Sequence, residues 1–250
     1  MTIAVAGGTG LMGRLVIQEL RSSGCTPVVL SRSHGVDLTT GRGLDAALDG
    51  ADAVVDVGNV TTTSRARSLG YFGTATSHLL DASARAGVRH LVALSVVGVD
   101  RVGLGYYAGK LRQEELLAAG GGPWTVLRAT QFHEFAGQLL SGVRGPLVPV
   151  PRMLSRPVAA REVAAELVRL VQREPQGMAT PIAGPEQLMM PEMVRRLLSA
   201  QGSRRLVIPV PVPGATGRAL SGGGLLPEGD FVHAKQTYDE YLLATSGGRP

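Results

Sequence analysis

The stretch Thr2–Gly13, TIAVAGGTGLMG, constrains this chain more than any other part of it. Ile3 to Ala6 is a short apolar, partly β-branched run of the kind that makes a buried strand. Gly7, Gly8, Gly10 and Gly13 follow at once, and Leu11, Leu15, Val16 and Leu20 then recur at helical spacing. Strand, glycine turn and helix form the setting in which G-x-G-x-x-G (Gly8, Gly10, Gly13) reads as a dinucleotide site. The tight turn needs positive φ, a side chain would hold a pyrophosphate off the main chain, and the third glycine lets helix and strand approach. A helix starting near Leu11 aims free N–H groups and its positive dipole end at phosphate.

A chain of 250 residues buries a core large enough for one α/β domain, alone or with a small lobe. No apolar run reaches the ~18 residues of a membrane span. Met1 runs straight into the first strand without a charged leader, so no secretory signal is expected. The single cysteine, Cys25, excludes an intramolecular disulfide and fits a reducing compartment, the cytoplasm. It sits beside Gly24 at a helix–strand turn, where an inert packed thiol is expected. The net charge of +5 comes from scattered residues, with no basic run of about 5–8, so it points to an anionic small ligand and not to nucleic acid. Only two of the 25 basic residues are lysines, Lys110 and Lys235. A chain that otherwise writes arginine has a reason to keep a lysine.

Pro27–Leu30 reads as a second strand ending in Ser31-Arg32-Ser33. An NAD site carries an acid about twenty residues after the glycines to hold the ribose 2′-hydroxyl. Here there is none, and Arg32 suits a forked contact with a 2′-phosphate, which favours NADPH. Asp37 and Leu38 follow a turn and are placed beside the adenine. Leu44–Leu48 reads as a short helix, and strand Ala53–Val57 closes on Gly58-Asn59, small enough to pass beneath a ribose. Helix Ser64–Ala86, strand His90–Val97, helix Lys110–Ala119 and strand Thr125–Ala129 continue the alternation, the signature of a parallel, doubly wound α/β sheet. Gly142–Pro157, with four prolines, reads as a loop, Val158–Val171 as a helix and Thr180–Ala183 as a last strand. Pro191 starts a helix, and Leu206–Pro213 is extended but too rich in proline for a central strand. Gly222–Gly224 is expected to be flexible, and Phe231, Tyr238, Tyr241 and Leu242 to dock a C-terminal helix. Residues 1–150 are expected to form the nucleotide-binding domain. Residues 151–250 would add its closing helix and strand plus a C-terminal substrate lobe.

Tyr106 and Lys110 lie four apart and share a helix face. Bringing a phenol from a pKa of about 10 to near 7 requires roughly 4 kcal/mol. An ammonium ~4 Å away supplies about that much at an effective dielectric of 20. On this reading Ser95, ending the preceding strand, holds a carbonyl while Tyr106 gives it a proton and Lys110 reaches the cofactor's ribose. Tyr107, three residues from Lys110, is the alternative phenol. A solvated helix start with an ordinary tyrosine pair is the plainer reading of the same residues. The histidines do not cluster with Cys, Asp or Glu at ligand spacing, so no metal is expected, and no G-x-S-x-G elbow points to a hydrolase.

Taken together, GGTGLMG, Arg32, LSVVGVD with Ser95, YYAGK and WTVLRATQFHEF resemble the atypical short-chain dehydrogenase/reductase superfamily. The nearest branch is the NmrA-like NAD(P)H-binding proteins, which include quinone-reductase-like and triphenylmethane-reductase-like enzymes. The similarity runs from Thr2 to about Val171. It implies a Rossmann fold with Gly7, Thr9, Gly10, Leu11, Met12 and Gly13 around the pyrophosphate and Arg32, beside Ser31, at the 2′-phosphate. It sets Gly58, Asn59 and Lys110 on the nicotinamide side. The Tyr106–Lys110 pair is expected after the fifth strand of the Rossmann pattern, and Thr130, Gln131, Phe132 and His133 after the sixth, where the resemblance implies that they line the nicotinamide and substrate pocket. His133 is equally readable as a packed histidine beside Phe132 and Phe135. Ser95 lies 11 residues before Tyr106, tighter than the usual spacing, and many members of the superfamily work without the tyrosine. The expected function is NADPH-dependent hydride transfer to a small or medium carbonyl, quinone or enone, by a monomer or homodimer without membrane or nucleic-acid partners. A redox sensor binding NADP(H) and a protein partner, and a non-redox epimerase or cyclase, are the alternatives.

Overall fold

The computed structural model describes residues 1–246. At its centre β1 (Thr2–Ala6) lies between β2 (Thr26–Leu30) and β3 (Ala53–Asp56). The sheet continues through β4 (Leu91–Val96) and β5 (Trp124–Ala129). Beyond them the helical lobe begins with β6 (Leu147–Pro151) and β7 (Leu154–Ser155), and the chain then returns to the sheet. There β8 (Gly177–Met178) and β9 (Ile182–Ala183) both pair with β5. After β10 (Leu188–Met189) and β11 (Leu206–Val210), β12 (Val232–His233) closes the outer edge against β9. Every pairing in this sheet is parallel, in the order 2-1-3-4-5-9-12 with β8 beside β5. Ile3–Ala6 and Ala53–Val55 are wholly shielded, as strands covered on both faces are.

Helices cover the two faces. On one, α1 (Leu11–Ser22) carries Val16 and Leu20 into the same cluster as Val163 and Leu167 of a later helix. On the other lie α2 (Leu44–Leu48), α3 (Arg65–Arg85) and α4 (Gly105–Ala119), which contribute Leu48, Leu79 and Leu117. The Ser64 hydroxyl caps α3 by accepting the Arg67 N–H. After α5 (Phe135–Ser141), α6 (Ala160–Val171) is that later helix beside α1. A third apolar cluster joins α5, α7 (Met190–Ala200), α8 (Gly214–Ser221) and α9 (Tyr238–Ser246) to β6, with Met190, Met193 and Tyr238 at its centre.

Several expectations are corrected. Lys110 follows the fourth strand and Thr130 the fifth, because the chain after β2 makes a 3-10 turn at Arg32–His34, a bridge from Asp37 to Arg42 and α2, leaving β2 as the edge. An edge also explains Pro27, whose missing N–H faces away from β1. The α4 helix starts at Gly105, five residues before the expected Lys110. Thr180–Ala183 does not supply the last strand, since β12 lies outside β9. Gly142–Pro157 is not all loop: β6 pairs in parallel with β11, an arrangement proline tolerates because each strand has one unpaired edge. Gly222–Gly224 follows α8, a helix that proline- and glycine-rich flanks hid; the Gly224 N–H donates to the Ala219 carbonyl.

The tightest helix contact positions the site. A Cβ on Gly109 of α4 would lie 2.2 Å from Ser68 Oγ and 2.5 Å from Ser68 O of α3, and the Ser68 hydroxyl donates to the Tyr106 carbonyl at 2.7 Å. Gly109→Val should therefore cost about 2–3 kcal/mol of stability, read as a lower midpoint of urea unfolding. An unchanged midpoint would contradict this packing.

Candidate functional site

The sheet order reverses at β1. The chain runs from β1 to β2 on one side and then crosses to β3 on the other, with α1 and α3 leaving to opposite faces. The crevice beyond the carboxyl ends of β1 and β3 is where such sheets bind ligands. Gly7 and Gly58 meet there. Gly7 has φ +75°, and a Cβ on it would lie 2.9 Å from the Gly58 Cα and N. Gly13 holds α1 on the turn, since its Cβ would stand 2.2 Å from the Gly7 carbonyl. Gly10, the N-cap of α1, is exposed and lacks a side-chain cap, and the first helical bond runs from Arg14 N–H to Gly10 O. The N–H groups of Leu11, Met12 and Gly13 precede that bond and belong to the orphan donors of a helix start. No acid sits in this first turn. Bare main chain, free donors and a dipole end make a cradle that fits a pyrophosphate. Arg14, which sequence reading passed over, folds back to donate to the Thr9 carbonyl at 2.6 Å.

Arg32, Asp37 and Leu38, the residues expected to border an adenosine, follow β2. Arg32 is exposed at the end of β2, while Ser31 and Ser33 share hydrogen bonds with His34. The hydroxyl and N–H of Thr39 hold the Asp37 carboxyl below its usual range, and the charges of Arg32 and Arg42 act the same way. Leu38 and Tyr71 flank Gly58: from a Cβ there, Tyr71 Oη would be 3.3 Å and Leu38 Cδ1 3.6 Å away. Burial, aided by the Asp56 charge, pushes the Tyr71 phenol up to about 12.

Beneath the crevice runs a chain of buried polar groups that sequence reading missed beyond Lys110. Asp56 accepts the Gly58 N–H at 2.8 Å with one oxygen and Gln113 Nε2 at 2.7 Å with the other. Gln113 Oε1 in turn accepts Lys110 Nζ at 2.7 Å, and Nζ also donates to the Leu94 carbonyl at 2.6 Å. Lys110 is 4% exposed and its ammonium lies 4.6 Å from the centre of the Phe72 ring. Burial pulls its pKa down to about 8 against the opposing pull of Asp56 and Glu114, while burial raises that of Asp56. An acid ending an otherwise apolar strand and a glutamine three residues after the lysine were the available signals.

Lys110 therefore points into the protein and not at a phenol. Tyr106 donates its hydroxyl to Asn59 Oδ1 at 2.9 Å and packs edge-on against Phe72 and Tyr107. Burial first, then Tyr107, Tyr71 and Asp56, raise its pKa, so this phenol is a weaker acid than a free one, contrary to the sequence reading. Tyr107 is buried and accepts Gln131 Nε2 at 3.2 Å. Ser95 is 3% exposed, and neither its Oγ nor Gln131 Oε1 meets a partner among the described residues. Thr130 is tied off, its hydroxyl donating to the Arg156 carbonyl. Phe132 packs on the first cluster and bridges to Val158. His133 stands apart, fully buried against Tyr238 and Tyr241 with Nε2 3.2 Å from the Gln236 carbonyl. Burial takes its pKa down to about 4. Among the described residues, no group of His, Cys, Asp and Glu is arranged to hold a metal.

Comparison with known proteins agrees with this geometry. A family model described as NAD(P)H-binding matches residues 7–174. The (4-alkanoyl-5-oxo-2,5-dihydrofuran-3-yl)methyl phosphate reductase of Streptomyces griseus subsp. griseus is 30% identical over 218 residues, covering 80% of this chain and 74% of that one. Among solved structures, the NADPH-dependent quinone oxidoreductase QOR2 of Escherichia coli complexed with NADPH has a TM-score of 0.73 at 19% identity, covering 97% of this chain and 99% of the other. The triphenylmethane reductase of Citrobacter sp. complexed with NADP(H) has a TM-score of 0.73 at 18% identity, over 98% and 100%. The chain belongs to the NAD(P)H-binding family and, with the Streptomyces reductase as its relative, is an NAD(P)H-dependent reductase.

Proposed function

We propose that the protein uses NADPH to reduce a small or medium carbonyl, quinone or enone. The observation that carries the NADPH preference is Arg32, exposed at the strand end where an NAD site keeps an acid. Residues 7 and 9–13 hold the pyrophosphate on free N–H groups, Arg32 with Ser31 takes the 2′-phosphate, and Asp37, Leu38 and Gly58 border the adenosine. Asn59, Tyr106, Ser95 and Thr130 border the nicotinamide end, and Gln131 and Phe132 the substrate. The bound cofactor supplies a hydride. Because its pKa is raised, Tyr106 keeps its proton at Oη, held toward Asn59, and can offer it only to an oxygen that becomes strongly basic. Lys110 acts from below, fixing α4 to β4 and, through Gln113 and Asp56, to Gly58. The substrate class is supported by the Streptomyces relative, whose name places an alkanoyl and an oxo group on a dihydrofuran, and by the quinone oxidoreductase of the same fold.

Loss of nicotinamide absorbance should accompany quinone or enone addition when NADPH is present. Arg32→Ala should weaken NADPH about tenfold or more while leaving NADH nearly unchanged, the scale of one lost charge-assisted contact. No turnover across the panel would favour the sensor or non-redox reading, and equal losses for both cofactors would remove the 2′-phosphate assignment.

The polar chain beneath the site has a direction, from donor Lys110 through Gln113 to acceptor Asp56. Asp56→Asn puts a second donor into it, so one buried link must face donor to donor whichever way the amides turn. The variant should lose about 1–3 kcal/mol of stability. With the carboxylate gone, the Lys110 pKa falls further below about 8, so stability of the variant should rise with pH starting from a lower pH than in the parent. Parallel stability–pH curves would contradict the coupling.

A further inference from the structure

The ribbon of β6 and β11 is apolar on both faces. Inward, Val148 and Val150 are buried in the lobe cluster with Val207 packed against it. Outward, the register sets Leu147 beside Leu206, Pro149 beside Ile208 and Pro151 beside Val210. Leu147 is 53% exposed, Leu206 62%, Ile208 44% and Val210 39%. Alternation along each strand places these six side chains on one surface, and a contiguous exposed apolar patch marks a contact.

Charge and backbone chemistry narrow the occupant. From residue 135 to 161 and from 193 to 227 the sequence has no Asp or Glu, and the two stretches carry four and five arginines. Arg144 and Arg204 stand exposed just before the two strands, and Arg152 just after β6, and none of the three makes an ion pair among the described residues. Arg205 stays at the same end, donating to the carbonyls of Gly145 and Val143. A further strand is poorly received, because Pro149, Pro151 and Pro209 remove donors from the ribbon's free edges. A second copy laid face to face would oppose the same uncompensated arginines. The remaining complement is a surface that takes up apolar side chains and presents negative charge beside them.

We propose that this ribbon seats the protein on an anionic lipid bilayer. The six outward side chains enter the headgroup boundary and Arg144, Arg152 and Arg204 meet lipid phosphates. Contact of this kind lies on the surface and is independent of a spanning helix, none of which occurs among the described residues. The contact also stands apart from the reductase reading, since no ribbon residue belongs to the nucleotide crevice.

The full chain should float with vesicles of phosphatidylcholine containing about one third phosphatidylglycerol, and not with phosphatidylcholine alone. Raising salt to about 0.5 M should release most of it. Leu206→Ser with Ile208→Ser, and separately Arg144→Glu with Arg204→Glu, should each lower the bound fraction about tenfold with NADPH binding unchanged. Failure to bind anionic vesicles, equal binding to neutral ones, or parent-like binding by both variants would overturn the proposal. So would a concentration-dependent dimer in sedimentation that the serine variant dissolves, which would assign the patch to a second copy.

Discussion

The architecture depends on two stretches of main chain touching where side chains are absent. The turn after β1 and the turn after β3 approach through Gly7 and Gly58 so closely that a single Cβ on Gly7 would stand 2.9 Å from three backbone atoms. Above that contact α1 and α3 depart to opposite faces, which opens the crevice. Because Gly7 sits at φ +75°, a side chain there would be strained as well as obstructed. The apolar strands fix the sheet, and the glycines then decide that its edge of carboxyl ends is bare enough for a phosphate-bearing ligand.

The crevice is stiffened from below by charge. A lone ammonium or carboxylate taken out of water is costly, but Asp56 and Lys110 offset each other through Gln113 and each gains a backbone partner, Gly58 N–H and Leu94 C=O. The chain links the end of β3 and the neighbouring strand β4 to α4, the helix that presents Tyr106. The α3–α4 contact at Gly109 and Ser68 fixes the same helix from its outer side. Tyr106 and Asn59 thus meet above a support that is buried, paired and directional.

Much of this was legible in the sequence, for identifiable reasons. A glycine turn after a β-branched run, helical spacing from Leu11 and the absent acid beside Arg32 are local signals, and the fold preserves them. What a local pattern does not carry is direction. The spacing of Tyr106 and Lys110 correctly put them on one helix, but the i,i+4 rule is silent on whether the ammonium turns outward to a ribose or inward to Leu94 and Gln113. His133 was similarly ambiguous until the aromatic rings of Tyr238 and Tyr241, more than one hundred residues later, closed over it. The β6–β11 pair was masked by prolines, which report the loss of a donor but not that the affected edge is free.

The central claim, that a dinucleotide rests on the bare main chain at the start of α1, is tested most directly at Gly10. Its φ of −74° suits any residue, and a Cβ there would meet only the Gly7 carbonyl, at a tight 3.3 Å, so a side chain asks that oxygen to give by a few tenths of an ångström while it fills the space that a ligand against the backbone needs. Calorimetric titration with NADPH should give saturable binding for the parent protein and none for a folded Gly10→Val variant. Undiminished binding by the variant, or no binding by the parent, would contradict the account.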